Sequence, residues 1–346
     1  MIKTVLLYLL IISTSALTPA AKRKKGEKNT PISPINQQEM KIRNELENFL
    51  SSAIGKSITK GGYISILRDN NIILEIGNKY NRNTLLPVAS LSKSFTALAI
   101  LKLQEENKLK ITDRASSYLP ELEDLEIFSE KITIKDLLNH HSGIPYEGDK
   151  SNFQFILENK NFLLPQIVVN PGQKYIYSNY NYRLLGKIIE IVAEIPAKEY
   201  ISQHLLKPMN LSQVEFGDGY DCASGLFISP ENLLRYAGVY LSGGKYRDES
   251  ILAKKSFKKI FLRPNPNERR NYYGLGWHVL VSEREKKVES LFHSGIGDFN
   301  FGQLRIFPKN RYIFYFQTEH TGLNRNEFNK LNKNIEYALM KFVSLH

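Results

Sequence analysis

Ser90-Leu91-Ser92-Lys93 puts a hydroxyl and an amine three residues apart, ahead of an apolar run through Phe95, Ala97, Leu98 and Leu101. Side chains at i and i+3 share one helix face, so the spacing predicts that Ser90 and Lys93 meet at the start of a helix. An amine held there takes the hydroxyl proton when burial or a neighbouring cation keeps it partly neutral. Alone, S-x-x-K recurs by chance in ordinary polar helix starts. Two motifs further along the chain give it weight.

The chain has 346 residues and 42% hydrophobic content, enough for one large domain or two small ones. Its one cysteine, Cys222, excludes an internal disulfide framework and reads as a small buried apolar residue. The formal net charge of +12 is spread along the sequence, with Lys22-Arg23-Lys24-Lys25 and Lys28 as the dense cluster. No zinc-finger spacing and no aromatic RNA-binding signature accompanies it, so nucleic acid is not an expected partner. Attraction of that basic segment to an anionic envelope surface is the expected use.

At the N-terminus Lys3 precedes an apolar run from Val5 to Ile12 and small residues through Ala16. This reads as a signal peptide over residues 1–20, with cleavage near Ala16 or Ala20. The run falls short of the roughly 18 to 20 residues that span a bilayer, so export to the periplasm or medium is expected rather than a permanent anchor. The basic residues after the run outnumber Lys3, which keeps N-terminal anchoring open as the alternative. Residues 21–36, charged and carrying Pro31 and Pro34, read as a flexible linker, and residues 37–346 as the folded domain.

Within that domain Ile42, Leu46, Phe49, Leu50 and Ala53 recur at helical spacing. Tyr63 to Arg68 and Ile72 to Ile76, either side of Asp69-Asn70-Asn71, read as a β-hairpin. The middle of the chain reads as helical, with an apolar stripe from Leu184 to Val192 and a helix from Ser229-Pro230 to Leu241. Strands are expected again at Leu275–Ser282, Val288–His293, Phe301–Phe307 and Tyr312–Thr318, before a terminal helix through Phe328, Leu331, Ile335, Leu339 and Phe342. This order predicts an α+β fold: an antiparallel sheet built from both termini, flanked by helices, with a mostly helical lobe inserted and a site in the cleft between.

The second motif is Tyr177-Ser178-Asn179, placed by Pro171-Gly172 on a loop before the Leu184 helix. A phenol can relay a proton, and an amide can hold both a lysine and a substrate carbonyl. The third is His293-Ser294-Gly295, ending an expected strand; glycine there leaves a strand edge open to an extended substrate. The backbone N–H of Ile296 would join that of Ser90 as an oxyanion hole.

In this order and at these separations, the three motifs resemble the serine β-lactamase and penicillin-binding-protein superfamily, in its class C-related branch with Y-x-N and H-x-G. Leu137-Leu138-Asn139-His140-His141-Ser142-Gly143, Ser224-Gly225-Leu226-Phe227-Ile228-Ser229 and Tyr273-Gly274-Leu275-Gly276-Trp277 agree with it. The resemblance covers roughly residues 40 to 318. It implies a β-lactamase/transpeptidase-like fold with Ser90 as the acylated nucleophile, Lys93 as its proton partner and Tyr177 as general base and acid. Asn179, His293, Ser294, Gly295 and Ile296 would bind substrate, and no cofactor or metal is implied. His140 would be structural, shaping the junction of the lobes.

Two departures bear on the substrate. His293 stands where the commoner K-T-G motif has lysine, and its unperturbed pKa near 6.5 makes it only partly charged at neutral pH. Asp298-Phe299-Asn300 replaces a frequent Pro-Gly pair. The expected activity is therefore D-alanyl-D-alanine carboxypeptidase or esterase, acting on small peptides, esters or peptidoglycan-like substrates with weak β-lactam turnover. A true β-lactamase or a non-catalytic peptidoglycan-binding protein would be the alternatives. An α/β-hydrolase is excluded because no serine sits in G-x-S-x-G, and a metallohydrolase because the seven histidines are scattered and H-E-x-x-H is absent.

Overall fold

In strand β1 (Thr59–Arg68) alternation sends Ile64 and Ile66 to one side and Tyr63 and Leu67 to the other. Both sides are covered, so the strand is buried along almost its whole length. The structure, a computed structural model, describes residues 36–119, 132–146, 153–157, 162–165, 168–217, 220–265 and 270–345. The expected signal segment and most of the linker lie outside the described residues.

Strand β1 is one of seven in an antiparallel sheet, with β2 (Asn71–Asn78), β3 (Asn271–Tyr273), β4 (His278–Val281), β5 (Val288–Ile296), β6 (Asn300–Phe307) and β7 (Tyr312–His320). Their order is β3-β4-β5-β6-β7-β1-β2. The two ends of the chain join at β1–β7, where Thr59 lies opposite His320 and Arg68 opposite Tyr312. This is the α+β architecture expected from the order of elements.

Helices α1 (Gln37–Gly55) and α5 (Arg325–Ser344) cover one face, packing Leu46, Leu50, Ile335 and Phe342 on Ile64, Ile66, Phe314 and Phe316. Both start at side-chain caps that satisfy otherwise unpaired N–H groups. Asn36 and Glu39 form a reciprocal capping box, and Asn324 Oδ1 accepts the Glu327 N–H at 3.1 Å.

The other face carries α2 (Ser92–Glu105), in which every residue from Ser92 to Leu101 is buried. A helix enclosed on all sides must lie between two layers. Here α3 (Asn179–Ala193), from the inserted lobe, packs on α2, while α4 (Pro230–Leu241) lies on β6 and β7 of the sheet. Phe95 of α2 stacks on Tyr236 of α4 with ring centroids 3.8 Å apart. The boundaries of α4 follow the sequence expectation, Ser229 capping Asn232 N–H and Pro230 occupying the first turn.

The structure departs from the sequence reading at several points. The middle of the chain also holds short strands, Leu86–Pro87, Leu226–Ile228 and Val214–Phe216, paired antiparallel in that order. Such short strands carry too little alternation to be read. Helix α2 begins at Ser92, and Ser90 lies in the 3-10 turn Ala89–Leu91 before it. Asn179 is the first residue of α3 rather than part of the loop. The strand expected from Leu275 begins at His278, because Gly276 turns the chain with φ +82°.

Gly276 joins the sheet to the buried helix. A Cβ at Gly276 would lie 2.6 Å from the Cβ of Ala97 in α2, in a backbone conformation that already disfavours side chains. Gly276→Ala is expected to destabilise the fold by about 2 kcal/mol or more through combined strain and overpacking. Urea unfolding should show a lower midpoint with an unchanged slope; an unchanged midpoint would refute the close approach.

Candidate active site

Ser90 is held by bonds from three directions. The Val88 N–H donates to Leu226 O at 3.0 Å, and the Leu91 N–H returns to Val88 O at 3.1 Å, closing the turn. Ser92 Oγ donates to Ala89 O at 2.6 Å and accepts the Leu226 N–H at 3.1 Å. Ala89, immediately before Ser90, has φ +44°, in the left-handed region that costs a residue with a Cβ about 1 kcal/mol or more. The end of β5 presses on the same turn: a Cβ at Gly295 would be 2.2 Å from Val88 O. Glycine at 295 is thus required by the approach of the turn that carries Ser90, besides any role toward a substrate.

Lys93 is fully buried, and its Nζ makes three contacts. It lies 3.0 Å from Ser90 Oγ, 2.6 Å from Asn179 Oδ1 and 2.8 Å from Ala223 O. Burial lowers its pKa to about 7; the Asp221 carboxylate opposes this shift, and the Arg183 guanidinium adds to it. A neutral amine has two N–H donors and one lone pair. The contacting atoms Asn179 Oδ1 and Ala223 O can only accept, so they take both donors, and the lone pair faces the Ser90 hydroxyl.

Tyr177 closes the other side. Its ring centroid is 4.9 Å from Lys93 Nζ, and its hydroxyl is hydrogen-bonded with Ser90. Burial pushes this phenol well above its ordinary range, so it stays protonated at neutral pH. The loop is fixed by His140, whose carbonyl accepts the Ile176 N–H at 2.8 Å and whose Nδ1 accepts the Ser178 N–H at 3.2 Å. Tyr177 is therefore flanked on both sides by bonds to one residue, and its ring lies 4.3 Å from the His140 ring.

His293 differs from its expected state. Burial, with His278 and Lys93 nearby, holds its pKa well below 6.5, so it is neutral rather than partly charged. Nδ1 is 2.8 Å from Ser294 O, which can only accept, so Nδ1 carries the proton. Nε2 then accepts from the Tyr273 hydroxyl at 2.9 Å. Ser294 is half-buried, its Oγ accepting from Gln303 Nε2 at 3.3 Å, and Ile296 is 66% exposed at the end of β5. β4 pairs with β5 only as far as Phe292, so residues 293–296 have a named strand partner, β6, on one side alone.

Residues 46–333 match the Beta-lactamase family model. The chain belongs to the beta-lactamase family. Its members are serine hydrolases. The chain is 27% identical over 317 residues to Protein flp of Staphylococcus aureus (strain MW2), covering 78% of this chain and 61% of that protein. It thus spans about three-fifths of that relative's length. The octameric penicillin-binding protein homologue from Pyrococcus abyssi superposes with a TM-score of 0.68 at 25% identity, over 86% of this chain and 77% of that one. A D-stereospecific amidohydrolase from Streptomyces sp. superposes with a TM-score of 0.64 at 18% identity, over 80% and 94%.

Seen as a family member, the chain brings Ser90, Lys93, Tyr177 and Asn179 into one cluster, while His293 is turned toward Tyr273. Sequence reading did not find Ala223 or Tyr273 as parts of the site. Both stand within or beside segments that carry the family resemblance, yet a backbone carbonyl and a phenol 20 residues before its histidine partner leave no spacing signal. Among the described residues no group of three or more His, Cys, Asp or Glu side chains is arranged to hold a metal ion.

Because His293 is neutral and singly protonated on Nδ1, its imidazole nitrogen shifts in ¹⁵N NMR should stay constant from pH 8 to pH 5.5. A titration centred near 6.5 would mean that the ring is charged when Tyr273 binds it.

Proposed function

We propose that this protein is a serine hydrolase that works through an acyl-enzyme on Ser90, of D-alanyl carboxypeptidase or esterase type. The observation that carries the reading is the buried Lys93 amine, with Asn179 Oδ1 and Ala223 O on its donors and Ser90 Oγ on its third position. Lys93 takes the Ser90 proton as Oγ bonds to the carbonyl carbon of the acyl donor. The tetrahedral adduct collapses, and the leaving group departs with a proton from Tyr177, which is refilled from the Lys93 ammonium. Water then attacks the ester, with the same groups moving protons in reverse. This assignment moves the base role from Tyr177 to Lys93, since burial favours the neutral form of each: the free amine, which is the base, and the protonated phenol, which is the acid.

The substrate class follows from His293. A neutral ring committed to Ser294 O and Tyr273 offers no cation to a substrate carboxylate. Within this reading the neutral ring favours the esterase form, because short-chain esters held by the strand edge at 293–296 carry no carboxylate, whereas β-lactams and the C-terminus of D-alanyl peptides both present one. The apolar run and basic cluster before residue 36 support export and contact with an anionic envelope surface.

Intact-mass measurement after exposure to p-nitrophenyl esters, D-alanyl peptides and nitrocefin tests the reading. The wild type should gain an acyl mass from the first two that Ser90→Ala does not gain. Nitrocefin turnover at dedicated β-lactamase rates, with no ester or peptide acylation, would overturn it. Lys93→Ala and Tyr177→Phe should each slow acylation by about 10² to 10⁴-fold. The rate should rise with pH through about 7, because only unprotonated Lys93 accepts the serine proton. A falling limb there would refute Lys93 as the base.

A further inference from the structure

Asp221 stands two residues before the carbonyl that holds Lys93, and both of its carboxylate oxygens are engaged. Oδ1 accepts the Ala223 N–H at 2.8 Å. Oδ2 accepts from Arg183 Nε at 3.0 Å, Arg183 Nη2 at 2.9 Å and Ser224 Oγ at 3.2 Å. The Asp221 carbonyl accepts the N–H groups of Ser224 at 3.0 Å and Gly225 at 2.7 Å, so the chain doubles back at once. Helix α2 fastens the same turn, Thr96 Oγ1 donating to Cys222 O at 2.8 Å and Ser92 Oγ accepting from Leu226 N–H. Arg183 itself lies four residues after Asn179 on α3, so one helix face delivers the amide that binds Lys93 and the guanidinium that binds Asp221.

We propose that Arg183 and Asp221 are positioning residues for Lys93: their ion pair locks the turn at residues 221–225, so that the Ala223 carbonyl and Asn179 occupy both donors of the neutral amine. This rests on the acyl-enzyme reading for its consequence in catalysis, but the geometry at the amine stands without it.

The charges at the site make the pair's effect separable. Tyr177 and Tyr182, from α3 and the loop before it, are held protonated by burial. His140, from the loop after the short helix Ile134–Leu138, and His293, from β5, are held neutral. Arg183 and Asp221 are the charged groups whose fields act on Lys93, and they act in opposite directions. Paired, they oppose each other, the Asp221 field being the larger. Arg183→Gln leaves an uncompensated carboxylate that stabilises the ammonium; Asp221→Asn leaves an uncompensated guanidinium that destabilises it.

The test is a ¹³Cε-lysine NMR titration of the full chain, with Lys93 assigned by the signal lost in Lys93→Ala. The Lys93 midpoint should rise by about one pH unit in Arg183→Gln and fall by about one in Asp221→Asn, the shifts expected of single nearby charges at an effective dielectric near 20. The double variant should return toward the wild-type midpoint, as should Arg183→Lys. Labelling of Ser90 by a fluorophosphonate at pH 6 should slow about tenfold in Arg183→Gln, since one unit leaves about a tenth of the free amine. Midpoints that stay fixed, or that move in the same direction in both variants, overturn the proposal. Should Asp221→Asn fail to fold, the absence of a rise in Arg183→Gln overturns it alone. Shifted midpoints in a protein whose Ser90 is never acylated would sink the hydrolase reading and leave the positioning intact; acylation with unmoved midpoints would do the reverse.

Discussion

A lysine amine sealed from water imposes its terms on everything around it. Burying an ammonium costs several kcal/mol unless a counter-ion meets it, and the direct contacts of Lys93 Nζ are instead a hydroxyl, an amide oxygen and a backbone carbonyl. The neutral amine is the form that these neighbours accommodate most easily at neutral pH. To exclude water so fully, the helix that carries it has to be covered on every side. That requirement explains why α2 lies between the sheet and the inserted lobe, and why the residues that bind Nζ come from both α3 and the turn at 221–225.

The surrounding shell is built from groups fixed in their neutral forms. His140 and His293 are held neutral, His278 is lowered to about 4, and the phenols of Tyr175, Tyr177 and Tyr273 are pushed up by burial. These rings pack edge to face and tilted at centroid distances of 4.3 to 6.5 Å, a geometry that aromatic quadrupoles favour. In this shell Lys93 is the group whose charge changes near neutrality. The polar bonds that the rings make, such as Tyr273 to His293, orient them without adding charge to the cleft.

Much of this was legible in the sequence. The β-prone runs Tyr63–Arg68 and Tyr312–Thr318 marked strands of the central sheet, and the i, i+3 spacing of Ser90 and Lys93 marked the reacting pair. What could not be read depends on tertiary placement. The neutrality of His293 follows from burial beside His278 and Lys93, and its proton position from the Ser294 carbonyl, neither of which is a property of residue type. Ala223 contributes a peptide oxygen, which any residue possesses. The 3-10 turn at Ser90 arises because Ala89 is forced to a positive φ between Leu226 and Gly295, segments remote in sequence from it.

The pairing of β1 with β7 sets a schedule for the newly made chain. Thr59 finds its partner at His320, so β1 stays unsatisfied along one edge until about 260 further residues have been synthesised. Contacts of such long sequence separation slow folding and expose apolar edges while they wait. Ile64 and Ile66 also depend for part of their cover on α5, which follows β7 in the sequence. The Ser90 turn leans on β5 through Gly295, so the reacting hydroxyl acquires its final geometry only when the two ends of the chain have met.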